Sequence, residues 1–178
     1  MTAHFFKRIG FRPEQINIPD GKAIDLQREC AEYERKIAQA GGIDLLICGL
    51  GRDGHIAFNE PGSSLSSGTR VKSLTFETRL DNSRFFEDDI EKVPTHAITV
   101  GMRTIMDSSE VLMIATGRAK ARAMSHTIEE GINHMWPAGM LQMHSKVTVV
   151  CDEAATWGLH VRTVEYFKQM QANRPESP

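Results

Sequence analysis

The sequence has little of what would place it in a specialised class of protein. Its 178 residues carry a formal net charge of −2, and no basic stretch is interleaved with aromatic side chains. Surfaces for nucleic acid or anionic membranes need clustered positive charge, so neither partner is expected. No apolar run approaches the roughly 18 residues that a membrane-spanning helix needs. The first residues also lack the apolar core of a signal peptide.

Cysteine is scarce as well. Cys30, Cys48 and Cys151 are odd in number and far apart, and the last two lie inside apolar runs. This pattern is typical of reduced, buried thiols rather than of a disulfide framework. Together with the length, it predicts a soluble, cytoplasmic protein with one domain over residues 1–170. The remaining residues 171–178, "QANRPESP", are expected to form a flexible tail.

Helical and strand patterns alternate along the chain. Within residues 21–42 an apolar stripe at helical spacing predicts a helix that ends at two glycines, and the stripe is Leu26, Cys30, Tyr33 and Ile37. Four nearly continuous apolar runs predict strands buried on both faces: 43–50, 96–101, 110–117 and 146–152. Further helices are predicted over residues 118–132 and 163–171. The alternation predicts an α/β fold with a mostly parallel sheet and helices on both faces.

The segment "GLGRDGHIAFNEPGSS" (49–64) follows the first predicted strand, where ligands bind in such sheets. Its first six residues fit G-x-G-x-x-G, the loop that holds a dinucleotide pyrophosphate. That loop needs a helix at its third glycine, whereas Pro61 and the sequence "EPGSSLSSGT" predict an irregular loop. No acidic residue ends a following strand at the spacing that holds a ribose. We therefore expect no dinucleotide cofactor.

The same segment contains three side chains suited to proton transfer. Asp53 and His55 are two residues apart and Glu60 follows, so a carboxylate can fix the imidazole tautomer and raise its basicity. Alternatively, Asp53 caps a turn, His55 packs and Glu60 is solvated. A metal site is a third possibility, although other histidines such as His134 and His144 show no ligand spacing. Spacing alone leaves these alternatives open.

Several further segments carry a family resemblance. They are "TRVKSLT", "NSRFF", "VPTHAITVG", "INHMWPAGMLQMH" and "VVCDEAAT", together with the longer "GLGRDGHIAFNEPGSSL". Over about residues 5–166 the chain resembles the glucosamine-6-phosphate deaminases, which share a Rossmann-like α/β fold with sugar-phosphate isomerases and lactonases. The resemblance implies conversion of glucosamine 6-phosphate and water to fructose 6-phosphate and ammonia, without cofactor or metal. It also implies that Asp53, His55 and Glu60 open the sugar ring.

Binding roles follow from the resemblance in the same way. Arg84 and Lys120 match cations that bind the substrate phosphate. Some members are allosterically activated by N-acetylglucosamine 6-phosphate, and the residues that match this effector site are Ser63, Arg70, Lys72, Ser73 and Tyr166. A homo-oligomer, trimer or hexamer, is expected.

The resemblance implies a further N-terminal segment in the family, with its first strands, a glycine-rich loop and the aspartate that moves the C2 proton. This chain is therefore expected to be an N-terminally truncated version of the domain, with low turnover on its own. A strand edge and apolar helix faces are expected to be uncovered, which favours association. The alternatives are a galactosamine-6-phosphate deaminase/isomerase and a non-catalytic remnant that binds sugar phosphate. A 6-phosphogluconolactonase is less favoured, because of "IAFNEP" and "NHMW".

Overall fold

Three parallel strands form the centre of the fold in the computed structural model, which describes residues 5–173. The strands within these residues are β1 (Leu45–Gly49), β2 (Arg70–Ser73), β3 (His96–Thr99), β4 (Glu110–Ala115) and β5 (Val147–Cys151). The parallel sheet has the order β1-β4-β5, with Leu46 opposite Val111 and Val111 opposite Val147. The carboxyl ends of all three strands therefore lie at one edge of the sheet.

In the described part of the chain five α-helices accompany the strands: α1 (Leu26–Gln39), α2 (Phe76–Asn82), α3 (Met102–Met106), α4 (Ala121–Ile128) and α5 (Val161–Ala172). Helix α1 begins where the Asp25 side chain accepts a hydrogen bond from the backbone N–H of Arg28 at 2.9 Å. Its predicted stripe is on the inner face, where Cys30 is buried and Tyr33 half-buried. The periodicity of the sequence thus located this helix correctly.

The core lies on one face of the parallel sheet. Val111 and Met113 of β4 are fully buried there, beside Met102 of α3 and Met124 of α4. Ile56, from the loop that follows β1, is also fully buried in this cluster. The loop is therefore tied to the core by an apolar side chain close to its acid–base residues.

The opposite face of the sheet is open within residues 5–173. Leu45 and Ile47 of β1 are 48% and 63% exposed, and Ile114 and Val150 on the neighbouring strands are 43% and 50% exposed. The expectation that the strands are buried on both faces is therefore wrong for this face. An apolar run predicts that a side chain prefers burial, but it does not supply the element that covers it. The apolar surface that is uncovered here belongs to a face of the sheet, whereas a strand edge and helix faces were expected.

Two further predictions need correction. The run 96–101 is not part of the parallel sheet, because β3 pairs antiparallel with β2 in a separate two-stranded sheet. The helix predicted over 118–132 is shorter in the structure, because α4 ends at Ile128. The next residue, Glu129, contacts the start of α5, where its carboxylate accepts the backbone N–H of His160.

At the C-terminus, α5 includes Gln171 and Ala172, the first residues of the predicted tail. The rest of that tail, from residue 174, lies outside the described residues. No helix within residues 5–173 has both the length and the apolar character needed to cross a membrane.

Candidate active site

The segment after β1 folds back on itself without forming a helix. Gly51 donates its backbone N–H to the carbonyl of His55 at 2.8 Å, and a bridge pairs Leu50 with Ile56. The next regular element is β2, which begins at Arg70. A dinucleotide loop would enter a helix at its third glycine, so the structure confirms that this loop belongs to another type.

Two glycines of the loop make room for aromatic rings. A Cβ on Gly51 would lie 2.4 Å from His55 Nδ1, and one on Gly54 would lie 2.5 Å from Trp136 Cε3. Gly54 also has φ of +81°, in the left-handed region that favours glycine. These glycines are therefore required by close packing around His55.

The structure brings His55 together with both predicted carboxylates. Its Nδ1 lies 2.7 Å from Asp53 Oδ1 and 3.6 Å from Glu60 Oε2, and the Glu60 side chain is only 5% exposed. Asp53 Oδ1 also accepts the backbone N–H of His55 at 3.2 Å. Both carboxylates lie beside the same ring nitrogen, Nδ1, and Asp53 is the nearer of the two. Nε2 is the ring nitrogen left for a ligand.

The surroundings shift the pKa values of the two carboxyls in opposite directions. Burial raises the pKa of Asp53, but the hydrogen bonding and charge of His55 outweigh it and lower the pKa to about 2. Burial raises the pKa of Glu60, and this effect exceeds the lowering by Thr78 and His55. Asp53 is thus the carboxyl that stays ionised, and Glu60 is the one that takes up a proton more readily. Such separation is typical of acid–base sites.

Glu60 is held by the start of helix α2. Its Oε1 accepts the backbone N–H of Thr75 at 3.4 Å. The Thr75 hydroxyl in turn accepts the backbone N–H of Thr78 at 3.2 Å and caps the helix. The position of Glu60 therefore depends on a helix that sequence reasoning did not predict.

A cavity of about 290 Å³ opens beside Asp53 and His55. This volume is close to the lower end of ligand pockets, at about 300 Å³. The cavity is also lined by residues that the sequence did not single out: Arg52, Glu77, Thr78, Asp81, Arg122 and Trp136. Arg52 Nε donates to Asp81 Oδ2 at 2.9 Å, which joins the loop to α2. Thr78 and Asp81 are three residues apart and follow the capping Thr75, so a helix would place both on one face. This spacing was the sequence signal that could have predicted the α2 side of the cavity.

Two predicted phosphate-binding cations lie near the same site. Lys120 ends a 3₁₀ turn directly after β4, at the N-cap of α4. Partial burial lowers the pKa of Lys120, with opposing influences from the charges of Asp81 and Asp53 on one side and Arg84 on the other. Arg84 is exposed, with its guanidinium carbon 4.8 Å from the centre of the Phe85 ring. The charges of Asp53 and Arg84 both influence Lys120, which links the two cations to the site.

The residues matched to an effector site are divided between two regions. Arg70 Nη1 donates to Asn59 Oδ1 at 2.9 Å, while Arg70 Nη2 and the buried Ser63 Oγ have no hydrogen-bond partner within the described chain. Lys72 and Ser73 follow on β2, half-buried and exposed respectively.

Tyr166 lies apart, on α5. It is 56% exposed and lines a hollow of about 510 Å³ with Glu129 and His160. This hollow shares no lining residue with the cavity at His55, although it is larger.

The acid–base cluster also has the composition of a cation site. Asp53, His55 and Glu60 offer ligand atoms within 4.8 Å of one another. One imidazole and two carboxylates can bind a divalent metal ion. The geometry is compatible with both a proton relay and a cation, and chelation distinguishes the two.

Comparison with known proteins gives a consistent picture. A family described as glucosamine-6-phosphate isomerases/6-phosphogluconolactonase matches residues 1–150. The glucosamine-6-phosphate deaminase of Borreliella burgdorferi (strain ZS7) is 55% identical over 171 residues, which cover 96% of this chain and 64% of the relative. Glucosamine-6-phosphate deaminase 1 of Mus musculus is 55% identical over 168 residues, or 94% of this chain and 58% of the relative. The chain thus spans less than two thirds of the length of these relatives.

Solved structures support the fold. A monomeric glucosamine-6-phosphate deaminase of the NagB superfamily superposes with a TM-score of 0.86 at 40% identity, over 89% of this chain and 65% of that one. The 6-phosphogluconolactonase from Trypanosoma brucei superposes with a TM-score of 0.60 at 19% identity, over 87% of this chain and 60% of that one. The predicted Rossmann-like α/β fold is confirmed.

Proposed function

This chain belongs to the family of glucosamine-6-phosphate isomerases and 6-phosphogluconolactonases, and we propose on that premise that it acts in glucosamine-6-phosphate deamination. The reaction converts glucosamine 6-phosphate and water to fructose 6-phosphate and ammonia. The observation that carries the proposal is His55, whose Nδ1 lies between the carboxylates of Asp53 and Glu60 beside a cavity. The relatives at 55% identity that are deaminases favour this substrate over a lactone.

The step assigned to this cluster is the opening of the sugar ring. His55 Nε2 takes the proton of the anomeric hydroxyl, the C1–O5 bond breaks, and O5 receives a proton from the imidazole. O1 becomes the carbonyl oxygen of the open aldehyde, so no proton is gained or lost. One oriented imidazole serves both oxygens. Asp53, ionised at neutral pH, stabilises the imidazolium that forms between the two transfers.

Lys120 and Arg84 are proposed to hold the phosphate. Arginine offers a planar pair of donors to phosphate oxygens, and lysine offers a mobile point charge. Lys120 is the N-cap of α4 and its side chain does not cap the helix, and the positive end of the helix dipole favours an anion there. Partial burial of the ammonium strengthens its attraction to a phosphate.

Ring opening can be tested without the complete reaction. It interconverts the α and β anomers of glucosamine 6-phosphate, and NMR exchange spectroscopy measures that rate directly. We expect this chain to accelerate anomer exchange, and His55→Gln to abolish the acceleration while binding of the sugar phosphate, measured by calorimetry, is kept. Exchange that is equally fast in His55→Gln would contradict the role of His55.

Release of ammonia is a later step than ring opening and is measured separately. The C2 proton must move to C1 before the imine is hydrolysed, so ring opening by itself releases no ammonia. A coupled ammonia assay with glucosamine and galactosamine 6-phosphates measures both turnover and the preference at C4. Tight binding with anomer exchange but no ammonia would assign the chain a ring-opening and sugar-phosphate-binding role.

A regulatory site is proposed around Arg70. The buried Ser63 Oγ and Arg70 Nη2 have no hydrogen-bond partner within residues 5–173, which supports binding of an anionic effector such as N-acetylglucosamine 6-phosphate, with Lys72 and Ser73 alongside. Tyr166 lies on another element and lines a separate hollow, and the proposal is that a second copy in a trimer or hexamer supplies it to this site. Two measurements test the proposal. This compound should activate the chain but not Arg70→Met, and light scattering should show the oligomer.

The free thiols of Cys30, Cys48 and Cys151 support a reducing, cytoplasmic location.

A further inference from the structure

A short segment from α4 towards β5 holds both ends of the acid–base loop. We name residues 133–138, "NHMWPA", the strap. Ala138 donates its backbone N–H to the carbonyl of Gly54 at 3.0 Å, and the carbonyl of His134 accepts the N–H of Gly62 at 2.9 Å. Asp53, His55 and Glu60 all lie within or next to the stretch between these two bonds. The strap therefore fixes the loop at two points that flank the reacting side chains.

The indole of Trp136 fills the space between these points. Gly54, which separates Asp53 from His55, packs so closely on Trp136 that a Cβ would lie 2.5 Å from Cε3 and 3.3 Å from the tryptophan Cα. Trp136 also lines the cavity together with Asp53 and His55. Any tilt of the indole must therefore move the backbone that joins the carboxylate to the imidazole.

Helix α4 holds the indole in turn. The His126 ring stacks on Trp136 with a centroid distance of 3.7 Å and an interplanar angle of 9°. His126 Nδ1 is fixed by Glu130 Oε2 at 2.6 Å, and the Arg122 guanidinium carbon lies 5.3 Å from the indole centre. Because Lys120 is the N-cap of α4, the indole connects the helix that follows the phosphate cation to the loop of the general base.

We infer that Trp136, backed by His126, is a positioning residue for His55. The expected effect on the rate of ring opening rests on the proposed function. Its structural content, that the indole sets the orientation of the imidazole relative to Asp53, does not depend on which substrate is bound. Position 136 needs a flat ring, because the gap beside Gly54 is narrow and a branched aliphatic side chain does not have the shape of that gap.

The test compares Trp136→Leu with Trp136→Phe, which keeps an aromatic ring. We expect Trp136→Leu to lower the maximal rate of anomer exchange by about 10- to 100-fold, with the half-saturating sugar phosphate concentration changed less than about threefold. Trp136→Phe is expected to retain most of the rate. Trp157→Leu is the matched control, since Trp157 is 63% exposed, lies under the Arg118 guanidinium and does not line the cavity at His55.

A second readout is independent of catalysis. The nitrogen chemical shifts of the His55 ring report its contact with Asp53, and we expect them to change in Trp136→Leu and to stay constant in Trp157→Leu. If the unmodified chain opens no sugar ring, the proposed function fails, but these shifts still decide the positioning role. If Trp136→Leu does not fold, His126→Leu against His126→Phe provides the same comparison. Unchanged His55 shifts and rates in Trp136→Leu, or in a folded His126→Leu that replaces it, would overturn the inference.

Discussion

Asp53→Asn tests the electrostatics of the site through the stability of the fold. The exchange keeps the side-chain shape and an oxygen that can accept the His55 N–H, but removes the charge. The pKa of Asp53 is lowered from its ordinary 3.8 to about 2, a difference worth at most ~2.4 kcal/mol. Since the Asp53 side chain is 34% exposed, solvent screening reduces the expected loss to about 1 to 1.5 kcal/mol.

The sign of the pH dependence follows from the lowered pKa. A carboxyl with a depressed folded-state pKa contributes stability above its ordinary pKa, and this contribution is lost as pH falls from 3.8 towards about 2. Urea unfolding at pH 7, 5 and 3 should therefore show a deficit for Asp53→Asn that is constant at the upper two values and smaller at pH 3. Asp44→Asn, an exposed aspartate in a turn before β1, is the control. A deficit that is independent of pH, or equal to that of the control, would refute the reasoning.

Four further outcomes are expected. The raised pKa of Glu60 means that the folded state favours the protonated form of this carboxyl, and the stability that it contributes is lost as pH rises through the folded pKa. Because glutamine does not titrate, Glu60→Gln should gain thermal stability relative to the unmodified chain between pH 4 and pH 8, as measured by calorimetry. Lys120→Met should weaken binding of the sugar phosphate by about tenfold or more in calorimetry, unlike Lys146→Met, whose ammonium pairs with Glu110 at the far end of β4. Chelation with EDTA should leave anomer exchange unchanged, whereas a loss that zinc restores would indicate a metal at His55. Ile47→Thr should lower self-association measured by light scattering, because Ile47 is 63% exposed on the open sheet face.

The regular elements were predictable where the sequence itself carries their period. Helix α1 shows its stripe at Leu26, Cys30, Tyr33 and Ile37, and β4 is a continuous apolar run. The environment of those elements was not predictable, because "IDLLICGL" has the same composition whether one or both faces are covered. Strand β3 was assigned to the wrong sheet for a related reason. A run of four residues does not reveal its partner, and Arg70–Ser73 is too polar to stand out as a strand.

The site divides in the same way between local and distant residues. Asp53, His55 and Glu60 are close in sequence, so a turned loop was enough to expect them close in space. Thr78 and Trp136 come from elements many residues away, and their place depends on how α2 and the strap pack on the loop. No spacing rule predicts such contacts, since they arise from the tertiary fold.

The resemblance of the loop to a dinucleotide motif has a physical origin in Gly51 and Gly54. Glycine spacing in a loop indicates that something approaches the backbone closely, but it does not say what approaches. In a nucleotide loop a pyrophosphate does so, whereas here the His55 and Trp136 rings occupy the space where a Cβ would lie. A helix directly after the third glycine separates the two cases, because only that helix directs its free N–H groups at an anion. The absence of that helix in the sequence "EPGSSLSSGT" was therefore more informative than the three glycines themselves.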